Sequence, residues 1–293
     1  MDTARYKAFL TAAETGSLSR AAEIMNYTPS GVSQLITALE QELALSLLKR
    51  SRKGVSLTAA GEELLPAVRD LLREENRIYQ IAGDLNQMIS GEITVASYAS
   101  IAAAWLPLVI SKFHQSYPNI RIHILEGNSR QADEWLENRK ADLAFYSEHQ
   151  SDKAEWFPLQ DISMQAILPA GHPLASEQAV AIEQLKEEEL LIAALGNADD
   201  VDELLERFSI PVKGAFSAME GYSVIGMIEQ GLGVGLMNEL IAGRYQADVV
   251  KLPLDPPQKT TFGIGLPSYA DAAPAVRKFV DFAIRILTKE DFA

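Results

Sequence analysis

The chain contains no cysteine. That absence excludes a disulfide framework, thiolate zinc, iron–sulfur clusters and a cysteine nucleophile. Histidine is scarce too. His114, His123, His149 and His172 are scattered, without the i,i+4 pair or the spaced carboxylate that a metal requires, so no metal site is expected. No stretch stays apolar for the roughly 20 residues that cross a bilayer, and the first thirty residues interleave charge with apolar side chains where a secretory signal has a continuous apolar core. The expected location is the cytoplasm, with no membrane partner. Two catalytic fingerprints are missing as well. No Gly-x-Ser-x-Gly elbow exists, and Gly231, Gly233 and Gly235 lack the spacing of a dinucleotide loop and stand after a helix rather than a strand. Neither an enzyme activity nor a cofactor is expected.

What is present is ordinary globular material: 293 residues, 47% hydrophobic and 23% charged, enough for two or three compact units. Positive charge is in short supply, with 26 Lys and Arg against 40 Asp and Glu, but the deficit is uneven. Residues 1–58 hold seven basic against five acidic side chains, residues 59–90 three against six, and residues 91–293 sixteen against twenty-nine. Only the head is net positive. Counterion release depends on the charges at the contact surface, so an acidic body does not prevent such a head from binding DNA.

The head reads as short, punctuated helices. Tyr6, Phe9, Leu10 and Ala13 keep helical spacing up to Gly16, and Ser17 caps a second helix through Ala21, Ala22 and Met25. Asn26-Tyr27-Thr28-Pro29 then closes one helix and opens the next, because Asn tolerates the left-handed conformation, Thr caps and Pro suits the first helical position. This is a helix-turn-helix joint. In the third helix Val32, Leu35, Ile36, Leu39 and Leu43 form a buried stripe and leave Ser30, Ser33, Gln34 and Thr37 on a small, polar face. Residues 47–57 follow as two extended runs around a basic turn. Lys49, Arg50, Arg52 and Lys53 lie there, which behind a helix-turn-helix reads as a wing on phosphates.

From the capping candidate Thr58 the pattern is helical for about 30 residues. Leu64, Val68, Leu71, Ile78, Ala82, Leu85 and Ile89 follow steps of three and four, with Glu75 as a charged interruption and Pro66 as an expected kink or irregular first turn. A single helix of this length cannot bury such a seam on its own chain, so Leu64, Val68, Leu71, Ile78 and Leu85 are expected to pair with a second subunit. Beyond Gly91 strands and helices alternate: strands at 93–96, 120–125 and 142–146 with helices at 101–117 and 130–138, then strands at 164–168, 190–194, 213–216 and 234–237 with helices at 199–207 and 219–230. This predicts two α/β lobes with largely parallel sheets and a cleft between them, completed by a strand at 261–266 and a helix at 274–288.

The residues Phe9 to Glu23, Val32-Ser33-Gln34-Leu35-Ile36, Leu39-Glu40 and Arg50 to Glu62 resemble the amino-terminal signature of LysR-type transcriptional regulators. The body conforms in Gly91-Glu92-Ile93, Leu106-Pro107, Glu126-Gly127, Asp142-Leu143-Ala144, His172-Pro173-Leu174-Ala175 and Gly231 to Gly235. The resemblance implies a winged helix-turn-helix head at 1–58, a linker helix that dimerises at 59–90 and a two-lobed effector domain at 91–293 of periplasmic-binding-protein type. Lobe I is expected at about 91–161 and 266–293, lobe II at about 162–265. It further implies a sequence-specific DNA-binding regulator, a homodimer or homotetramer, controlled by a small-molecule inducer, with double-stranded DNA and RNA polymerase as macromolecular partners.

Matched residue by residue, the resemblance places Pro29, Ser30, Ser33, Gln34 and Thr37 in the major groove and Arg50, Arg52 and Lys53 on the backbone. The inducer is expected near Ser97, Ser100, Asn128, Ser129, Tyr146, Ser147, Ser217 and Glu220. Gly31 stands where many members have alanine, and Thr37 near where many have arginine, leaving the recognition face without a basic residue. The alternatives are a regulator or architectural protein that binds DNA without an inducer, and an uptake binding protein, which would need a signal peptide and no helix-turn-helix head.

Overall fold

A computed structural model describes residues 3–51, 54–85, 90–148, 154–194, 199–216 and 218–288. The chain forms two compact units that divide near residue 88. In the first, α1 (Ala4–Thr15) ends at Gly16 in the left-handed conformation, and the Ser17 hydroxyl caps α2 (Leu18–Met25) by accepting from the Arg20 amide. Asn26, also left-handed, ends α2, and Thr28 accepts from the Gly31 amide to open α3 (Pro29–Leu43) with Pro29 in its first turn. The punctuation read in the sequence is thus the punctuation that folds.

Phe9, Val32, Ile36, Leu39 and Leu47 fill the core between these helices. The wing is a hairpin of β1 (Leu48–Ser51) and β2 (Gly54–Leu57) in which Arg50 pairs with Val55. It is docked on the α1–α2 turn: the Val55 amide donates to the Gly16 carbonyl at 2.9 Å. A Cβ on Gly54 would lie 2.4 Å from that same carbonyl oxygen, and Gly54 has φ +124°, so only glycine fits there. The long helix α4 (Ala59–Leu85) begins at Thr58, whose hydroxyl accepts from the Gly61 amide, and continues through Pro66 as one helix.

The second unit carries a curled mixed sheet of nine strands. Its elements are β3 (Gly91–Ser97), α5 (Ala99–Ala104), α6 (Leu106–Ser116), β4 (Ile120–Glu126), α7 (Ser129–Glu137), β5 (Leu143–Ser147), β6 (Glu155–Pro169), β7 (Val180–Ala181), β8 (Leu190–Leu191), α8 (Asp199–Arg207), α9 (Gly221–Glu229), β9 (Val234–Asn238), α10 (Glu239–Arg244), β10 (Val249–Asp255), β11 (Lys259–Leu266) and α11 (Pro274–Leu287). In the first lobe β3 is flanked in parallel by β4 and β5, while β11 joins β5 antiparallel. Side chains of β5 alternate: Leu143 and Phe145 enter the core under α6 and α11, and Ala144 and Tyr146 enter the smaller core under α7. In the second lobe β6 repeats this alternation, with Met164, Ala166 and Leu168 toward α8 and Ile167 toward α9 and α10.

The structure corrects several expectations. The sheet is mixed rather than largely parallel, because β6 runs antiparallel to β11, β9 and β10. The return to the first lobe begins with β11, not at 266, since Phe262 and Ile264 already lie in that lobe's core. The expected helix at 101–117 is two helices parted at Trp105. Pro107 is the reason: it has no N–H to give the Ala103 carbonyl. The expected strand at 213–216 is irregular chain, where Gly214 takes φ +73°. The expected strand at 190–194 is shorter, Leu190–Leu191.

Candidate functional site

The exposed face of α3 begins at the helix N-terminus. Pro29, Ser30 and Gln34 are exposed, Ser33 and Thr37 half-buried. The face is set by the opposite stripe: Val32, Ile36 and Leu39 are fully buried, and a helical period of 3.6 puts Ser30, Ser33, Gln34 and Thr37 on the outer side. Its edge toward the wing is closed by Glu40, whose Oε1 accepts from the amides of Leu47 at 2.7 Å and Leu48 at 3.2 Å and so fixes where β1 leaves the helix.

Arg50 then reaches back. Its guanidinium donates to Ser33 Oγ at 2.8 Å and to Thr37 Oγ1 at 3.3 Å. A helix face that is neutral in its own residues therefore carries a cation supplied by the wing. No sequence signal announced this, because the partners stand 17 and 13 residues apart in different elements. Arg52 and Lys53 lie outside the described residues. Gly31 has ordinary backbone, and a Cβ there would press the capping hydroxyl of Thr28 at 3.2 Å.

The expected subunit seam on α4 divides in two. Val68 is 2% exposed and packs, with Leu64 and Leu72, into the core of its own head. Val68 is thus covered by its own chain, while Leu64 packs half-buried against the same core. Leu71 is half-buried, whereas Ile78 at 66% and Leu85 at 82% exposure are open, together with Tyr79 and Ile81, which the heptad reading passed over. Ile89 lies outside the described residues. Glu75, the interruption, accepts a hydrogen bond from the Thr3 hydroxyl at 2.7 Å.

In the second unit a cavity of about 520 Å³ opens between the lobes. Tyr98, Ser100, Glu126, Asn128 and Gln131 line it from the first lobe; Asp200, Glu220, Tyr222, Asn238 and Arg244 line it from the second. Of the expected inducer residues, Ser100, Asn128 and Glu220 are there. Ser97, Ser129, Tyr146 and Ser147 do not line it, for reasons of packing. Ser97 and Ser147 are 1% exposed, and the Ser147 hydroxyl is hydrogen-bonded at 2.9 Å to the Tyr98 hydroxyl, so Ser147 steadies a wall of the cavity from behind. Tyr146 faces the α7 core, stacked on Trp156 at 5.5 Å, and burial, helped by Asp133, pushes its phenol well above the usual tyrosine range. Ser129 is buried at the start of α7. Ser217 lies outside the described residues.

Polar groups around the cavity are largely committed. Asn128 and Gln131 cap α7 reciprocally, each side-chain oxygen accepting from the other's amide at 2.9 and 3.1 Å. Asn238 donates to Asp200 at 3.3 Å and accepts from the Ile241 amide. The Arg244 guanidinium donates to the carbonyls of Ala103 and Ala104, the first of which Pro107 has left without its helical partner. Among the described residues no group of three or more potential metal ligands comes together, and no helix is long and apolar enough to cross a membrane.

Comparison with known proteins bears on both units. Residues 4–62 match the bacterial regulatory helix-turn-helix protein family of lysR type, and residues 86–287 match the LysR substrate binding domain. A helix-turn-helix transcriptional regulator of Bacillus subtilis, YvbU, is 28% identical over 99% of this chain and 100% of its own length. Among solved structures, full-length OxyR from Pseudomonas aeruginosa superposes with a TM-score of 0.78 over 98% of this chain and 96% of that one, at 21% identity. Full-length CbnR complexed with its target DNA superposes with a TM-score of 0.69 over 97% and 99%, at 19% identity.

Proposed function

This chain belongs to the LysR family of DNA-binding transcriptional regulators, and from that membership we propose that α3 and the wing read an operator while a small molecule between the two α/β lobes sets the outcome. The observation that carries the reading is the presence, in one chain, of a winged helix-turn-helix with an open polar face and a 520 Å³ cavity of the size that small ligands occupy. Pro29, Ser30, Ser33, Gln34 and Thr37 take the major groove. Arg50, Arg52 and Lys53 supply the positive charge, in keeping with the bound DNA of CbnR. Ser100, Asn128 and Glu220 belong to the effector site, and the open residues Ile78 and Leu85, with Leu71, belong to the subunit seam of a homo-oligomer. The protein acts in the cytoplasm as a binding protein rather than an enzyme.

A mobility-shift titration on the DNA flanking its own gene, with and without pools of small metabolites, tests both halves. Saturable, sequence-dependent binding that a metabolite alters is the expected result. Equal affinity for flanking and scrambled duplexes would remove the operator reading, and indifference to every pool would remove the effector.

A further inference from the structure

The charge around the cavity indicates what kind of molecule it holds; the inference rests on the reading of that cavity as the effector site. Three carboxylates line it, Glu126, Asp200 and Glu220, against a single guanidinium, Arg244. Asp200 is held by Asn238, but the exposed carboxylates of Glu126 and Glu220 have no hydrogen-bond or ion-pair partner among the described residues. The guanidinium turns one of its nitrogens, Nη2, to the Ala103 and Ala104 carbonyls.

Of the helix ends that could hold an anion, one is taken and another carries a carboxylate. The start of α7 is closed by the reciprocal Asn128–Gln131 cap. At α9 the capping position is Glu220 itself, so a carboxylate of the chain stands at the helix end toward which an anion would be drawn. The aromatic walls act in the same sense. Tyr98, Tyr222 and Tyr245 line the cavity, with the last two rings tilted against each other at 5.9 Å and substantially exposed, and ring faces attract cations. The domain around them carries sixteen basic against twenty-nine acidic side chains, a field that concentrates positive solutes at the mouth.

We propose that the effector is a cation, an ammonium- or guanidinium-bearing small molecule with an apolar or aromatic body, its charge received by Glu126 and Glu220 and its body by the tyrosines and by Met219 and Met237. An anionic effector would have to enter against two open carboxylates with a single guanidinium to offset them.

The full-length protein is titrated with matched probes: 2-phenylethylamine, benzyltrimethylammonium and agmatine against 3-phenylpropanoate, benzoate and succinate, read by thermal midpoint and calorimetry. The expected result is stabilisation by one or more cations, with binding weakened about two- to fivefold by Glu126→Gln and again by Glu220→Gln, the range an exposed ion pair supplies. Both side chains are exposed, so the variants retain the fold, and their unliganded midpoints check it. Tyr222→Leu should weaken the aromatic cations more than agmatine. The assignment is overturned if carboxylates bind better than their matched cations, or if neither Glu→Gln change weakens the cations. Should the carboxylates bind and Ser100→Phe, which fills the cavity, abolish that binding, the effector site stands and only its charge preference falls. Should neither series bind at millimolar concentration, both fall together.

Discussion

Arg50 donates to the Ser33 hydroxyl at 2.8 Å, joining a residue of the wing to a residue of the recognition helix. On sequence alone the two belong to different tasks, phosphate contact and base contact. Their hydrogen bond makes them one group, so their contributions to operator binding should not add. A double-mutant cycle of Arg50→Ala and Ser33→Ala, measured on specific DNA, is expected to show a coupling of about 0.5–3 kcal/mol, the range for contacting residues. Additivity within ~0.3 kcal/mol would mean that the bond has no part in the bound state.

Gln34 stands apart from that pair. It is exposed on α3 and carries no charge. Gln34→Ala should therefore remove roughly 1–3 kcal/mol of discrimination at one half-site position and leave the salt slope unchanged, because a neutral side chain displaces no counterion. Arg52→Ala should do the reverse, weakening specific and scrambled duplexes alike and flattening the slope by about one unit per protomer. Competition titrations at several salt concentrations separate the two, and exchanged signatures would refute the assignment.

Val68 and Ile78 lie on one helix and should fail differently. Ile78→Asp places a carboxylate in the proposed seam, and sedimentation should show dissociation of the oligomer with the head still folded. Val68→Ala should instead lower the stability of the head by about 1–3 kcal/mol through a core cavity and leave the oligomer at its normal weight. An Ile78→Asp protein that sediments unchanged would move the seam elsewhere.

Tyr146 makes stability sensitive to alkali. Its phenol, ordinarily near pKa 10.0, is raised in the fold first by burial and then by Asp133. Above about pH 10 the unfolded chain loses this proton while the folded chain keeps it, so stability falls as pH rises from there toward the folded value, by up to ~1.4 kcal/mol per pH unit. Tyr146→Phe lacks the group. Between about pH 9 and about pH 11 the urea midpoint of the wild type should therefore drop further than that of the variant, and parallel drops would show that the phenol is not shielded.

Local chemistry was the legible part of this chain. Gly16, Ser17, Asn26, Thr28 and Pro29 each act within a few residues, and each does what its type implies. Long-range pairing was less so. The first half of β6 has Pro158 and Asp161 among its apolar residues and reads poorly as a strand, yet β11 pairs with it along its length. Val68 keeps perfect seam spacing, but which neighbour covers an apolar stripe is decided by packing, and the head covers this one. Likewise Tyr146 and Ser147 follow the cleft residues along the chain while alternation and burial turn them into the sheet's interior.

β6 gives up β11 at Ser163 and takes β9 and β10 from Met164 and Gln165, so pairing passes from lobe to lobe without a gap. There is no slack linker at that point for a rigid swing to use. Opening or narrowing the cavity has to be taken up as twist distributed along a hydrogen-bonded ribbon, which favours small graded movements over an all-or-none closure. The same continuity makes the lobes inseparable as pieces. A cut between Ser163 and Met164 would strip a strand from both halves at once, so the two lobes hold together only as one undivided part.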